Sequence, residues 1–411
     1  MGYRVEVFDR DLKRVGEIDE WISLDFTVRL AQEGIWQLLI KDGTIQSDLI
    51  EKGGGIAIWQ DGVSKPLLSG QVDIYQKYWT KVQHTGPGSL YIGGKCHNSL
   101  AYRRLAFPDP TRPVHQQYQA SLPARQLPTG GTAGAMIHDE LYRALGPGAL
   151  SDRRVPGLHF TESSLGAGMA DSLRFDVIGS KLEDWFKSRG VAYRFIYNPD
   201  AQRVDVEIFE PQDLSKRVRF SPELGNLREY IWTLNAPKVT RAIVGAAGEG
   251  LDRYYYQKVD TAAEAEWGIQ AEAFVDRRDI PLKVDRSTGQ PVKTEESMTA
   301  TEVEAAKTAV EEAASGVLEE NQPRGNFQIY PIDTADCLFG RDYFVGDVVT
   351  VAVDGTEYSD VVREVTISVD DGGNTQDVNP KIGQQGSGEP LNLYKTVYEM
   401  QRKLRRLESR M

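Results

Sequence analysis

Metal or nucleophilic chemistry in this chain would have to be built from five histidines and two cysteines. His84, His97, His115, His138 and His159 all lie in the first half of the sequence. None stands in the His-Glu-Xaa-Xaa-His or Cys-Xaa-Xaa-Cys spacing that holds zinc. Cys96-His97, just after Gly93-Gly94, sets a thiol beside an imidazole. Neighbours on a strand point to opposite faces, so the two cannot act on one another, and Cys96 reads as a small buried thiol. A Gly-Xaa-Ser-Xaa-Gly elbow is missing from the sequence. Gly245-Ala246-Ala247-Gly248-Glu249-Gly250 loosely resembles a dinucleotide loop, but the glycine spacing is wrong and Arg253 to Tyr256 does not read as a helix. Asp370-Asp371-Gly372-Gly373-Asn374 lacks the ligand register of a calcium loop and reads as a solvated turn. Asp171, Asp176, Glu183 and Asp184 are carboxylates that no sequence feature draws together. The expectation is a protein that is not an enzyme, with no catalytic, cofactor or metal residues.

The elements that would carry such residues are mostly strands. Residues 3 to about 105 alternate short β-rich runs with tight turns, as in Asp25 to Leu30. Asp42-Gly43 and Asp61-Gly62 each read as a hairpin turn. Residues 107–131 form a Pro-rich loop. Thr132 then reads as the N-cap of a helix that uses Met136, Ile137, Leu141 and Leu145 and stops at Gly146-Pro147. A second helix, about 180–189, presents Leu182, Trp185 and Phe186 and ends at Gly190; a hairpin turning at Asn198-Pro199-Asp200 follows it. Strands return at 227–260, and Thr299 with Glu302 opens a helix over about 299–320 by a capping box. Residues 327–382 are again β.

The whole chain is acidic, with 411 residues and a net charge of −12. That balance disfavours tight nucleic-acid binding, while an acidic wall past which DNA slides remains compatible. Two distant cysteines exclude a disulfide framework as the main stabiliser. The N-terminus shows no secretory pattern, and no apolar run reaches the roughly 20 residues of a membrane span. The sequence predicts a soluble protein made in the cytosol.

Two features point to assembly. Asp61-Gly62 and Asp354-Gly355 lie 293 positions apart, and at that offset Ile56 meets Val349, Ile58 meets Val351, Leu68 meets Val361, Val72 meets Val365 and Ile74 meets Ile367. Shared register matters because a one-residue slip turns a strand inside out. Two unrelated Asp-Gly hairpins are the alternative. At the end of the chain, Leu393, Val397, Met400, Leu404, Leu407 and Met411 are spaced as an a/d heptad seam for oligomerisation. The alternatives are a helix packed on its own domain and a membrane-surface helix.

Further pieces carry a family resemblance: Tyr3 to Asp9, Gly34 to Leu38, Phe274 to Asp279 and Tyr343 to Val349. With them the chain resembles the tail-hub, baseplate-hub-like minor tail proteins of long-tailed siphophages. The resemblance implies a β-dominated α+β fold: two similar small antiparallel β-barrel domains with α+β inserts and a C-terminal coiled-coil helix. The expected division is 1–105 for the first barrel and 106–220 for an insert. The second barrel takes 221–250 plus 326–382, with a further insert at 251–325, a linker at 383–390 and the coil at 391–411. The resemblance also implies a homotrimeric ring at the phage tail tip, in the virion, that closes the tail tube and opens for DNA. The implied partners are the distal tail or tail-tube ring protein, the tape-measure protein and further tail-tip proteins. DNA would pass without specific binding. A carbohydrate- or receptor-binding tail protein is the alternative, with Tyr75 to Trp79 and Tyr254 to Tyr256 as stacking platforms. A tail-associated cell-wall hydrolase is the third reading.

Overall fold

A computed structural model describes residues 2–80, 88–121, 125–126, 131–169, 171–294, 298–322, 324–331, 337–372 and 375–383. The chain divides into two compact units, one of residues 1–231 with 327–383, the other built on residues 232–326. The chain leaves the first unit within the strand Leu227–Asn235 and returns within Arg324–Pro331.

In the first unit, β-branched and aromatic runs make β1 (Tyr3–Phe8), β2 (Arg14–Ile18), β3 (Ser23–Arg29), β4 (Ile35–Lys41), β5 (Gly55–Gln60), β6 (Leu68–Gln71), β7 (Ile74–Tyr78) and β8 (Ser89–Lys95). These fall into two sheets. One has the order β2-β1-β5-β6; the other contains β3-β4-β8-β7. Val5, Ile56 and Ile58 from the first sheet and Leu24, Phe26, Trp36 and Leu38 from the second share one core, all at most 1% exposed. A bridge between Gly70 and Cys96 links the sheets at one corner.

The second sheet does not stop at β3. The 14-residue strand Thr356–Val369 pairs through its first half with Val348–Val353. Its second half pairs with Thr375–Ile382 on one edge and with β3 on the other. Val365 lies opposite Val28, and Ile367 opposite Phe26. Strands from the two ends of the sequence therefore form one ten-stranded sheet. Two closed barrels are expected from the resemblance, but among the described residues no sheet closes into a barrel. The reason lies in β3, whose two edges are taken by β4 and by Thr356–Val369, so the modules share a ladder instead of each closing on itself.

The expected duplicate holds before the turn and fails after it. Ile56, Ile58, Val349 and Val351 are all fully buried. Beyond the turns, Gly70 pairs with Ile56, whereas Val349 pairs with Asp360, not with the Arg363 that the offset of 293 requires. The slip is an odd number of residues, so the faces invert. Ile74 is 48% exposed and Ile367 fully buried. The turns themselves differ. Asp354 and Gly355 both have positive φ, 51° and 75°, in a two-residue connection of the I′ kind. At Asp61-Gly62 only Gly62 is left-handed, and a longer loop leads to β6. Asp42-Gly43 makes no hairpin at all, because β4 pairs with β3 and β8 and not with β5.

The intervening α+β part has helices Ala133–Ala144 and Ile178–Arg189 and the hairpin Ala192–Asn198 with Arg203–Phe209. Thr132 Oγ1 caps the first helix by accepting the Ala135 N–H at 3.3 Å. Gly190, at φ 72°, ends the second, whose Leu182, Trp185 and Phe186 are buried. The described part of the Pro-rich loop includes a 3-10 turn, Val114–Gln119.

The second unit is a sheet of Tyr255–Val259, Arg241–Gly245 and Glu272–Asp276, with Arg241–Gly245 central. Helix Ala300–Glu320 packs Ala306, Val310, Ala314 and Leu318 on Ala242 and Val244. Thr299 and Glu302 form the expected capping box.

Candidate functional site

The residues singled out for chemistry are dispersed by the fold. Cys96 Sγ accepts the Gly34 N–H at 3.0 Å, and burial pushes its thiol up to about 11. His97 turns the other way, and its Nδ1 shares a hydrogen bond with Ser69 Oγ at 2.9 Å. Burial, helped by the Arg103 charge, holds His97 down to about 4, so the ring is neutral at physiological pH. Ser69 Oγ also accepts the Tyr197 N–H at 2.9 Å. Asn98 Oδ1 accepts the Phe195 N–H, and its Nδ2 donates to Gln32 O, each at 2.9 Å. Phe8 stacks on Tyr197 with centroids 4.3 Å apart. These polar groups are the joint that fastens the hairpin Ala192–Phe209 to the strand module. Ser69 has no place in the sequence reading, because its role depends on a contact 128 positions away.

The four carboxylates go separate ways. Asp171 accepts Trp185 Nε1–H at 2.7 Å and pairs with Lys181; burial opposes the shift, but these bonds hold it below its ordinary range. Tyr102 Oη–H donates to Glu183, which also accepts from Gln32. Asp184 is exposed beside Lys187, and Asp176 accepts the Arg174 N–H. In the Gly245–Gly250 turn, the Ala246 N–H donates to Tyr254 O and the Ala247 N–H to Ile280 O. Asp370 O accepts Trp21 Nε1–H at 2.8 Å, and Asp370 Oδ1 accepts the Gly372 N–H. Among the described residues no group of three His, Cys, Asp or Glu is placed to hold a metal, and no helix is long and apolar enough to cross a membrane. His115 is exposed, His138 stacks on Tyr142, and His159 Nδ1 lies 3.2 Å from Asp205. His84 and the whole seam, Leu393, Val397, Met400, Leu404, Leu407 and Met411, lie outside the described residues.

What the described surface offers is interaction area. A groove of about 550 Å³ is lined by His159, Ser163, Arg203, Asp205 and Phe209 among others. The outer strand β7 presents Ile74 and Tyr78, followed by Trp79, at 48%, 55% and 62% exposure. In the second unit Tyr255 and Phe274 stand exposed with the Arg253 guanidinium against both, 5.6 and 5.5 Å from the two rings. Tyr254 and Tyr256, by contrast, pack on the core of that unit.

The fold is similar to that of the 43 kDa tail protein of prophage MuSo2 from Shewanella oneidensis, with a TM-score of 0.53 at 10% identity, over 93% of this chain and 97% of that one. It is equally similar to a tail protein from Neisseria meningitidis MC58, with a TM-score of 0.54 at 13% identity, over 94% and 98%. No curated protein sequence matches. The model of the siphovirus ReqiPepy6 Gp37-like proteins matches residues 4–384, so the chain belongs to that family of siphovirus tail proteins.

Proposed function

We propose that this chain is a structural hub at the tip of a long-tailed phage tail, three copies forming a ring that closes the tail tube and opens for DNA. The observation that carries the reading is membership of a siphovirus tail-protein family, together with the likeness of fold, along nearly the full chain, to two tail proteins, one of them from a prophage. The ten-stranded sheet fits a mechanical role: it joins the two ends of the sequence by backbone hydrogen bonds, which transmit load better than a linker between separate domains. The acidic balance of the chain suits a wall that DNA passes without adhering. The seam from Leu393 to Met411 would lie between copies. The tail-tube ring protein and the tape-measure protein would meet the ring from one side and further tip proteins from the other.

Native mass spectrometry tests the reading. Three copies of a 45.9 kDa chain are expected, and a strict monomer at high concentration would overturn it. Replacing Leu404 by Asp should weaken the trimer, because a charge at a seam position loses its apolar partner. A second reading, a carbohydrate- or receptor-binding tail protein, is favoured by the open polar groove beside Asp205. Specific retention on a glycan array, lost on Arg203→Ala, would establish it.

A further inference from the structure

The groove beside Asp205 begins where a strand leaves its sheet. The parallel pairing of Leu158–Phe160 with Arg203–Phe209 stops at Phe160 and Val206. Beyond that point the chain from Thr161 to Leu165 departs from the ladder and forms one wall of the groove. This wall is pinned at its far end. The Gly134 N–H donates to Leu165 O at 2.9 Å, the Ala133 N–H to Ala167 O at 3.0 Å, and the Gly166 N–H to Glu210 Oε1 at 2.9 Å. Glycine is required at 134, because a Cβ there would come within 2.5 Å of Ser163 Oγ. Gly166 has φ 76°, and a Cβ on it would meet Val191 at 2.4 Å. The groove, about 550 Å³, is therefore built before anything enters it, and its size is that of a small-ligand cleft.

The polar groups that line it divide into two sets. Asp205 and Glu207 are used up inside the protein. Asp205 Oδ1 accepts Arg203 Nε–H at 2.7 Å and faces His159 Nδ1 at 3.2 Å, and its Oδ2 accepts from Asn198 at 2.8 Å. Glu207 accepts from Arg194 at 2.6 Å and from Lys65. The second set is open. Thr161, Glu162 and Ser164 are exposed, and among the described residues their side chains make no hydrogen bond or ion pair. The same holds for the two Nη nitrogens of Arg203 and for His159 Nε2. The Asp205 carboxylate holds the proton of a neutral imidazole on Nδ1, which leaves Nε2 an acceptor. The open set thus offers donors, acceptors and hydroxyls that serve as either, on supports that are already fixed.

We infer that this groove takes a neutral oligosaccharide, held through its ring hydroxyls by Arg203 as donor and by Glu162 and His159 as acceptors. The inference rests on the carbohydrate-binding reading and names the class of sugar. Charge decides the class. The carboxylates Glu162, Asp205 and Glu207 are balanced by Arg203 and by the Arg194 and Lys65 that hold Glu207. An anionic sugar would have to leave water to sit beside Glu162, and a cationic one beside Arg203, whereas a neutral hydroxyl both donates and accepts. Leu165, 36% exposed, gives the apolar patch that the C–H face of a sugar ring covers. An extended peptide fits less well. Pairing stops at Val206 and the wall returns to the hairpin at Glu210, so only the strand edge of 207–209 stays open. That is about 10 Å of ladder, where a strand usually brings about five or six residues.

A glycan array probed with the full chain, followed by titration calorimetry of the sugars retained, tests the inference with two variants. The probes are uncharged oligosaccharides of glucose, galactose, mannose and N-acetylglucosamine, beside chains that carry uronic or sialic acid. Uncharged chains should be retained, with an affinity that salt at about 0.5 M leaves unchanged. Glu162→Ala, at an exposed side chain without a partner among the described residues, and Arg203→Ala should each weaken them about tenfold or more. Retention of acidic chains alone, lost at that salt and strengthened by Glu162→Ala, would overturn the neutral class and leave the carbohydrate reading standing. Uncharged chains bound equally well by both variants would overturn this groove as their site. A wild type that retains no sugar would overturn the inference and the carbohydrate reading together, and extended peptides bound in their place would point to an added strand.

Discussion

The strands before Asp61-Gly62 and before Asp354-Gly355 bury the same positions, yet the strands after them live in different surroundings. β6 is sealed: Leu68, Ser69 and Gly70 are buried against Cys96, His97 and Tyr197. Its counterpart on the other ladder, the first half of Thr356–Val369, is exposed from Thr356 to Asp360. The difference teaches that matching apolar positions on one strand fix a core face but not what the partner strand must endure. The partner is decided by what the rest of the chain lays across it.

Four measurements would break or sharpen that contrast. The largest effect is expected for Gly70→Val. A Cβ at Gly70 would come within 2.2 Å of Lys95 O and 2.9 Å of the Cys96 Cα, so urea denaturation should show a loss of about 4 kcal/mol or more. Acidification comes next. His97 is neutral in the folded protein with its pKa depressed to about 4, below the unfolded value, so its contribution is complete above about pH 6.5 and is lost as pH falls toward 4. Thermal unfolding should record a loss on the order of 3 kcal/mol across that window, and His97→Phe should flatten it. A profile equally steep in the variant would deny the sealed corner its role. Gly355→Ala should cost about 1 kcal/mol by chemical denaturation, because Gly355 is left-handed at φ 75°. The smallest effect belongs to Asp360→Ala, whose ladder position corresponds to Gly70: less than about 0.5 kcal/mol, since the side chain is exposed.

The parts of the fold that the sequence reading anticipated are those decided locally. The Thr132 cap, the Thr299–Glu302 capping box and the Gly190 stop each need only a few neighbouring residues. Pairing between distant strands was not legible. Asp42-Gly43 has the composition of a hairpin turn, but that composition fixes backbone angles and not partners, and β4 found β3 and β8. The register after Asp61 was misjudged for a related reason: the turn types differ, and three residues of slip follow from the longer loop. For the candidate surfaces, Tyr78, Trp79 and Tyr255 were among the platforms singled out, and the groove at Asp205 was not.

The ladder between β3 and Thr356–Val369 also sets a clock. Thr27 Oγ1 and Thr366 Oγ1 lie 3.1 Å apart across it, although 339 positions separate them in the chain. At a synthesis rate of about 10 residues per second, β3 waits on the order of half a minute for its partner to leave the ribosome. Throughout that interval one edge of β3 has its backbone groups unpaired. The joint that makes the finished molecule continuous therefore forms late, and the nascent chain is open to mispairing with its own siblings at the strand that later locks the two distant segments together.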